Sequence, residues 1–255
     1  MYHFFVESSQ VTPDLKTVEV TGSDFNHMAH VLRMKVGEQF SVSINDDDRA
    51  REIFYEIEQI TDSAVIGKLC FVEEVGNELP SKIYLFQGLP KVDKMELIVQ
   101  KAVELGAYKI IPMSTKRCIV KFDDKKAKNK QARWQAISEA AAKQSKRSII
   151  PEVTEPVTMK EALLICRDEN IDVRLIPYEL AEDINETKKV IENIKPGQSI
   201  AVFIGPEGGF AEDEIKMSMD AGVIPITLGK RILRTETAGF TIISWLMYHL
   251  EGTEI

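Results

Sequence analysis

Short runs in which polar and apolar residues alternate mark the first seventy positions of the chain. Residues 39–44 and 52–60 follow the period of two that a half-buried β-strand requires, and residues 64–71 form a third strand candidate. A run of aspartates at 46–48 separates the first two strands and is typical of a hairpin loop. One helix is predicted over residues 24–34. Small strands joined by turns indicate a compact, β-rich barrel.

The pattern changes after a polar stretch at 73–80 that contains a glycine and a proline and is the best candidate for a domain boundary. Beyond it, strand-like runs alternate with helix-like runs. The predicted strands cover residues 83–86, 109–111, 173–176, 199–204 and 224–228, and the predicted helices cover residues 93–105, 129–146, 159–168, 185–193, 212–221 and 236–250. This alternation favours an α/β fold with a mostly parallel sheet covered on both faces. We therefore predict two domains, at residues 1–72 and 73–255.

Local signals support several of these helix boundaries. Thr158 and Glu161 have the spacing of a capping box at the start of a predicted helix. Gly106 and Gly222 follow predicted helices, at the position where a left-handed residue commonly ends a helix.

Composition excludes several classes of protein. Of the 255 residues, 44% are hydrophobic, and no apolar stretch has the length of about 18 residues that a membrane span needs. The first residues have neither the basic segment nor the apolar core of a signal peptide. The cysteines Cys70, Cys118 and Cys166 are widely spaced and odd in number, which favours free thiols in a reducing compartment. A cytoplasmic protein without a metal site or membrane segment is expected.

Charge is distributed unevenly along the chain. The net charge is −8, yet residues 116–147 contain eleven basic and three acidic residues, so this segment carries +8 and the remainder −16. An acidic protein with one basic segment can bind a polyanion at a defined place while repelling it elsewhere. A solvated helix face with its adjoining loop explains the same charges, and charge alone does not decide between the two.

Three loops follow predicted strands at the edge where parallel α/β sheets bind ligands: residues 87–91, 204–210 and 228–238. The middle loop has three glycines and a proline, which let backbone groups approach a ligand closely. It matches neither the dinucleotide fingerprint nor the P-loop. A tight strand-to-helix turn is the alternative interpretation of this loop.

The third loop enters the last predicted helix through Arg234, Thr235, Glu236 and Thr237. Either threonine can cap the helix, and Glu236 suits its positive end. A cation before a helix N-terminus is mildly unfavourable, so Arg234 is better explained as a residue held for a ligand.

Together the stretches Ile-Gly-Pro-Glu-Gly-Gly-Phe at 204–210 and Leu-Gly-Lys-Arg-Ile-Leu-Arg-Thr-Glu-Thr-Ala at 228–238 resemble the SPOUT class of methyltransferases. Within that class the chain resembles the RsmE family, the 16S rRNA uracil-N3 methyltransferases. Residues 27–37, 94–96 and 140–145 extend the resemblance over both predicted domains.

The resemblance implies a PUA-like RNA-binding first domain and a second domain with a trefoil knot. It implies a homodimer that binds S-adenosyl-L-methionine (SAM) in the knot, beside the dimer interface, and methylates a uridine of 16S rRNA, with the assembled small ribosomal subunit as the favoured substrate. The cofactor-binding residues would be Leu89, Ile204, Gly205, Pro206, Glu207, Gly208, Gly209, Leu228, Gly229, Ile232, Leu233, Thr235, Thr237 and Ala238.

Two catalytic roles have candidate side chains. Arg234 would stabilise the negative charge that develops on the uracil carbonyl oxygens when N3 loses its proton. Glu236 would accept that proton, although Glu207 is an equal candidate and the choice between them stays open. Predicted contacts with RNA involve Arg33, Lys116, Arg117, Lys143, Lys146 and Arg147.

The chain departs from the family pattern at two places in the first domain. His3 stands where the family usually has an arginine, and Asp46, Asp47 and Asp48 occupy a loop that often contains glycine. Two other functions are compatible with part of the sequence. One is a non-catalytic RNA-binding or ribosome-assembly protein, and the other is a phosphate- or nucleotide-binding enzyme that uses the glycine loop.

Overall fold

A computed structural model describes residues 1–45, 51–74, 77–91, 94–120, 122–179, 181 and 183–252. The chain forms two compact units, which we treat separately. The first consists of Met1–Glu78 and Ala142–Ile150, and the second of Leu79–Ala141 and Pro151–Ile255. The predicted hairpin loop at Asp46, Asp47 and Asp48 lies outside the described residues.

The first unit contains a five-stranded sheet in the order β1-β3-β4-β5-β2. Strand β1 runs parallel to β3, and the other neighbouring strands are antiparallel. The strands are β1 (Tyr2–Val6), β2 (Thr17–Thr21), β3 (Gln39–Ile44), β4 (Glu52–Ile60) and β5 (Ala64–Glu73).

The alternating pattern located three of these strands correctly, since β3 and β4 have the predicted bounds and β5 is slightly longer. Strands β1 and β2 were not predicted. The apolar residues of β1 do not alternate with polar ones, and its pairing with β3 joins segments that are far apart in sequence. The predicted regular helix at 24–34 is a short helix α1 (Gly22–Asn26) followed by a π-helical turn, in which the Leu32 amide bonds the His27 carbonyl oxygen.

Buried apolar side chains from the strands and from α1 form one core in this unit. Phe40 and Tyr55 are fully buried and stack with ring centroids 6.0 Å apart. The Tyr55 hydroxyl donates a hydrogen bond of 2.9 Å to the Leu15 carbonyl oxygen, which satisfies its polar end.

The second unit contains a six-stranded, all-parallel sheet in the order β11-β9-β10-β6-β7-β8. Its strands are β6 (Lys82–Gly88), β7 (Ala107–Met113), β8 (Glu152–Val153), β9 (Val173–Pro177), β10 (Ser199–Ile204) and β11 (Ile224–Ile226). The helices that follow the strands are α2 (Lys94–Glu104), α3 (Asp124–Ser145), α4 (Met159–Asp168), α5 (Ile184–Glu192), α6 (Glu212–Asp220) and α7 (Thr235–Glu251). The last residues of α3 belong to the first unit.

The predicted order of strands and helices in this part of the chain is confirmed, apart from the two-residue strand β8, which was missed. Helix α3 begins at Asp124 rather than Asn129, and Asp93, the predicted start of α2, lies outside the described residues. The Thr158 and Glu161 side chains form the expected capping box, and Gly106 and Gly222 have positive φ angles of 93° and 80°.

Helices cover both faces of this sheet. On β10, Ala201 and Phe203 join a core cluster with residues of α4 and α6. Because side chains alternate along a strand, the fully buried Ile200 and Val202 face the other side, where α7 contacts β6 and β10. Burial on both faces explains why the apolar run of β10 is nearly continuous. None of the helices, over the described residues, combines the length and hydrophobicity needed to cross a membrane.

Candidate functional site

A cavity of about 620 Å³ opens in the second unit at the carboxyl ends of its strands. Residues 204–210 after β10 and residues 227–235 between β11 and α7 form most of its wall. Residues 177–179 after β9 contribute a third side, together with Lys94, Arg117, Ile215 and Ala238. Parallel α/β sheets bind ligands at this edge. Two of the three loops singled out in the sequence, 204–210 and 228–238, therefore meet at one site, whereas residues 87–91 are not among the described residues of its wall.

Most of the predicted cofactor-binding residues lie at this cavity. Twelve of the fourteen line it: Ile204, Gly205, Pro206, Glu207, Gly208, Gly209, Leu228, Gly229, Ile232, Leu233, Thr235 and Ala238. Leu89 and Thr237 are not among the described residues of the wall. Leu89 is buried, and its amide donates to the Met113 carbonyl oxygen at 2.9 Å, whereas Thr237 is exposed on α7.

Two glycines, one in the loop at 204–210 and one at the end of β6, are required here for different reasons. Gly209 has a φ of 66°, and its amide donates a 2.8 Å hydrogen bond to the Pro206 carbonyl oxygen, which closes the turn. A Cβ atom at Gly88, at the end of β6, would stand 2.6 Å from the Pro206 nitrogen. Gly88 thus allows the strand end to approach the loop closely.

The start of α7 corrects the predicted helix cap. Arg234 is the N-cap, and Thr235 is the first helical residue, so neither Thr235 nor Thr237 occupies the capping position. Thr235 is buried instead, where its hydroxyl donates to the Gly205 carbonyl oxygen at 2.6 Å and accepts from Gln87 Nε2 at 2.8 Å. This network joins the glycine loop to the last helix.

Gln87 was not identified from the sequence as a functional residue. It ends the apolar strand β6 and is fully buried. Its Nε2 also donates to the Gly88 carbonyl oxygen at 2.9 Å, while its Oε1 has no hydrogen-bond partner within the described structure. The one feature of the sequence that could have indicated a functional role for Gln87 is its position as a polar residue at the end of an otherwise apolar strand.

Arg234 is exposed on the cavity wall. Its guanidinium group has no hydrogen-bond or ion-pair partner in the described part of the chain, and the same holds for the side chains of Lys230 and Arg231. Both neighbours are exposed and line the cavity too. The segment before α7 therefore presents three cations that are available to an anionic ligand.

Two glutamates stand beside one lysine at the wall. The Lys94 ammonium lies 3.2 Å from Glu236 Oε2 and 3.6 Å from Glu207 Oε1. The backbone amide of Lys91 also donates to both carboxylate oxygens of Glu207, at 3.0 and 3.2 Å. Burial acts to raise the pKa of Glu207, but the backbone donors and Lys94 together hold it below its usual value. Both catalytic candidates, Glu207 and Glu236, are thus in contact with the same cation.

In the second unit, the predicted RNA contacts Lys116 and Arg117 have partners. Lys116 pairs with Asp213, and its backbone amide donates to Glu214 Oε1 at 2.9 Å. Arg117 Nη1 donates to the Gly208 carbonyl oxygen at 3.0 Å, and the side chain lines the cavity. Arg117 therefore belongs to the cavity wall as well as to the basic segment.

In the first unit, Arg33 and Lys146 are exposed, and Lys143 lies 3.6 Å from Asp24. Arg147 is buried, and its Nε atom donates to both carboxylate oxygens of Glu78, at 3.2 and 3.1 Å. This arrangement gives Arg147 a structural role, and its placement does not favour the predicted contact with RNA.

Several wall residues were missed by sequence reasoning. They are Lys94, Pro177, Tyr178, Glu179, Phe210, Ile215, Thr227, Lys230 and Arg231. Phe210, Lys230 and Arg231 lie inside the two quoted motifs, and Lys94 lies in a third. Nothing in the local sequence marked residues 177–179, which reach the cavity because β9 lies between β10 and β11.

The described residues that line the cavity include no cysteine. Cys118 and Cys166 are buried free thiols, Cys70 is an exposed one, and burial raises the pKa of Cys166 to about 12. Across the described residues, no group of three or more histidine, cysteine, aspartate or glutamate side chains has an arrangement suited to a metal ion.

Two family models match the chain. A model described as an RNA methyltransferase domain matches residues 77–247, and one described as an RNA methyltransferase PUA domain matches residues 20–70. The ribosomal RNA small subunit methyltransferase E of Bacillus subtilis (strain 168) is 35% identical over 258 residues, covering 98% of each chain. The protein of that name from Mesomycoplasma hyopneumoniae (strain 232) is 32% identical and covers 96% of this chain and 98% of its own.

Solved structures agree with this relationship. The ribosomal RNA small subunit methyltransferase E of Neisseria gonorrhoeae, bound to SAM, is 30% identical, covers 96% of each chain and has a TM-score of 0.75. A Legionella pneumophila structure in complex with SAM is 32% identical, covers 96% of each chain and has a TM-score of 0.77. The predicted fold class, an α/β domain with a parallel sheet preceded by a β-rich PUA-like domain, is confirmed. The chain therefore belongs to the RNA methyltransferase family that includes the ribosomal RNA small subunit methyltransferase E proteins.

Proposed function

We propose that this chain is a SAM-dependent methyltransferase that methylates N3 of a uridine in the 16S rRNA of the small ribosomal subunit. The observation that carries the proposal is the cavity formed by the glycine loop and the start of α7. It occurs in a chain 35% identical to a small-subunit rRNA methyltransferase over 98% of its length. The N3 position comes from the resemblance of the two loop motifs to the RsmE family.

The cavity suits SAM in size and chemistry. Its volume of about 620 Å³ lies within the range of small-molecule sites, about 300–1,000 Å³. Backbone groups of the glycine loop can face the adenosine and methionine parts, and apolar side chains such as Leu228 and Leu233 can cover the base. Glu179 and Glu207 provide negative charge for a ligand with a sulfonium and an ammonium group. When bound, SAM supplies an electrophilic methyl carbon.

The protein has to prepare uracil for that methyl group. N3 of uridine carries a proton at neutral pH, and a carboxylate is suited to take it as the nitrogen becomes the nucleophile. Glu236 and Glu207 are the candidates. The negative charge left on the ring spreads onto the two carbonyl oxygens, and Arg234, which has no partner in the described structure, is suited to stabilise it.

RNA binding is proposed for two regions. Residues 1–72 would form the PUA-like RNA-binding domain, with Arg33 exposed on it, and residues 73–255 would form the knotted methyltransferase domain. Lys143 and Lys146 belong to the predicted basic segment, as do Lys116 and Arg117. We add Lys230 and Arg231 at the cavity, because exposed cations beside a catalytic pocket can bind the phosphates that flank a target base. Arg147 is omitted because its guanidinium group is bound to Glu78.

The working form would be a cytoplasmic homodimer, as in the family that the motifs resemble. Assembled small subunits are the favoured substrate, since RNA surfaces composed of several segments are recognised by shape as well as by base edges.

The first experiment compares small subunits with bare 16S rRNA as substrates for the purified chain and SAM. We expect one methyl group per subunit, and digestion followed by chromatography and mass spectrometry should identify N3-methyluridine. The same nucleoside should be missing from rRNA of cells that lack the protein. A methyl group at another atom or nucleoside would refute the N3 assignment while leaving rRNA methylation intact.

A second measurement separates the enzyme from a non-catalytic RNA-binding or assembly protein. Calorimetric titration of the purified chain with SAM should give saturable binding. The assembly-protein hypothesis predicts no SAM binding, together with normal methylation of rRNA in cells lacking the chain.

A further inference from the structure

We propose that Lys94 is a positioning residue for the methylation reaction, which holds the carboxylates of Glu207 and Glu236 together at the cavity wall. This inference rests on the proposed methyltransferase function. It assigns a role to a side chain that the two loop motifs alone did not identify.

Lys94 connects three separate elements. It is the first residue of α2, Glu207 lies in the loop after β10, and Glu236 lies in the first turn of α7. The Lys94 ammonium is 3.6 Å from the first carboxylate and 3.2 Å from the second. One cation thereby joins the two loops that form the cavity.

Partial burial makes this charge arrangement effective. The side chains of Lys94, Glu207 and Glu236 are 31%, 28% and 15% exposed, so water screens them less than it screens a surface ion pair. Two carboxylates beside the same ammonium repel each other if the ammonium is removed. One of them then gains a proton more readily, which raises its pKa.

The two glutamates do not depend on Lys94 equally. Glu207 also accepts hydrogen bonds from the Lys91 amide, which favour its charged form whatever residue stands at position 94. For Glu236, Lys94 is the one side-chain partner within the described structure. Removing the ammonium should therefore free the Glu236 side chain more than that of Glu207, whose position the Lys91 amide also fixes.

Other charged groups face the same space and have to be considered. Arg117, Glu179, Lys230, Arg231 and Arg234 line the cavity together with Lys94. Lys94 differs from the four other cations because its ammonium group forms ion pairs with Glu207 and Glu236 themselves. Replacing it should consequently act on these two carboxylates rather than remove a contact with RNA phosphates.

The test compares Lys94→Met, which keeps the aliphatic stem without the charge, with Lys94→Arg, which keeps the charge. The pH dependence of single-turnover methylation is measured for each variant on small subunits. If a carboxylate accepts the N3 proton, Lys94→Met should shift the acidic limb of the profile upward by on the order of one pH unit. Lys94→Arg should restore the limb to its wild-type position.

A second readout does not depend on activity. Carbon-13 NMR of the glutamate carboxyl groups, recorded on the protein without SAM or RNA, should show one resonance that disappears in Glu207→Gln. The pKa of that group should be higher in Lys94→Met than in the wild type, because Lys94 helps to lower it. Lys101→Met is the matched control, because Lys101 pairs with Glu104 on the same helix and does not line the cavity in the described structure. The control should leave both the profile and that resonance unchanged.

The possible results are distinguishable. An unshifted acidic limb combined with unshifted carboxyl resonances in Lys94→Met would overturn the proposal, whether or not the rate falls. A wild-type chain that fails to methylate small subunits would refute the proposed function, yet the carboxyl titration would still decide whether Lys94 acts on the Glu207 carboxylate.

Discussion

The hydroxyl of Thr235 donates a hydrogen bond of 2.6 Å to the carbonyl oxygen of Gly205, and so attaches the first residue of α7 to the glycine loop. Gln87, near the end of β6, donates a hydrogen bond of 2.8 Å from its Nε2 to the same hydroxyl. Thr235 is buried and Gln87 fully so, which makes these bonds sensitive to any change in their partners. The shape of the proposed SAM pocket therefore depends on a small neutral network below its wall.

Thr235→Val should weaken SAM binding. The variant keeps the volume of the side chain but leaves the Gly205 carbonyl and a Gln87 amide hydrogen without a partner, a loss of about 1–3 kcal/mol. Because these lost hydrogen bonds hold the glycine loop, we expect the dissociation constant for SAM to rise roughly tenfold or more. Calorimetric titration measures this change. Thr235→Ser retains the hydroxyl and should bind SAM nearly as the wild type does. Equal affinities for all three proteins would contradict a role of this network in shaping the pocket.

Arg234→Ala should separate catalysis from cofactor binding. If Arg234 stabilises charge on the uracil ring, removing it should reduce the single-turnover methylation rate by about 10²–10³-fold while the affinity for SAM changes little. Arg234→Lys should recover part of the rate, since it restores the charge but not the planar group. Near-normal turnover of the alanine variant would remove Arg234 from the mechanism.

Lys230→Ala and Arg231→Ala should weaken the binding of small-subunit RNA by reducing its electrostatic part. Each lost phosphate contact should lower the slope of log affinity against log salt concentration by about 0.7–0.9, which filter binding over a salt series can measure. Lys160→Ala is the control, because Lys160 is exposed on α4 and does not line the cavity in the described structure. An unchanged slope in both cavity variants would exclude these residues from the RNA contact.

Arg147→Met should reduce stability rather than RNA binding. The side chains of Arg147 and Glu78 are 4% and 14% exposed, and Glu78 also accepts from the Ser148 and Ile149 amides at 2.8 and 3.2 Å. Breaking a buried ion pair by removing one partner lowers the free energy of unfolding by about 3–5 kcal/mol. Urea denaturation measures this change, and Arg167→Met is the control, because its exposed pair with Asp168 should contribute about 1 kcal/mol or less. A stable Arg147→Met variant with impaired RNA binding would support the original RNA-contact prediction instead.

The stability of the first unit should fall in mild acid because of His3. The His3 ring lies 3.0 Å from Ser41 Oγ and 3.4 Å from Glu52, with its side chain 4% exposed. Burial holds the pKa of His3 below its usual value; Glu52 opposes this effect, and Lys143 and Lys146 reinforce it. Below about pH 6.5 the unfolded chain takes up a proton that the folded chain resists, so folding weakens until the folded pKa is passed.

Thermal unfolding of the wild type and His3→Gln between about pH 7.5 and 5 tests this sign. We expect the wild type to lose more stability than the variant as pH falls from about 6.5. Parallel curves for the two proteins would show that His3 does not titrate differently in the folded and unfolded states.

The element order of the second unit could be predicted because its signals are local. The period of apolar residues separates strands from helices, and the Thr158–Glu161 capping box depends on residues three positions apart. By contrast, β1 pairs in parallel with β3, where Tyr2 lies opposite Phe40, so the two strands are distant in sequence. The apolar residues of β1 also show no alternation that would predict a strand.

The basic segment illustrates where counting charges fails. Lys116, Lys143 and Arg147 were grouped by sequence as one cationic stretch, but each has an acidic partner from another part of the chain: Asp213, Asp24 and Glu78. Ion pairs form through space, so the number of cations in a segment does not give the number that remain available for RNA.

Local sequence patterns were sufficient to predict the α/β class, most of the element order in the second unit and the two loop motifs of the site, because these depend on local spacing and on residue types with restricted conformations. Which residues act together became clear only from the folded structure. Gln87 meets Thr235 across 148 positions, and Lys94 meets Glu236 across 142. Such contacts form because the loops that follow different strands meet at one edge of the sheet. Short-range sequence patterns do not predict which of these distant residues come together.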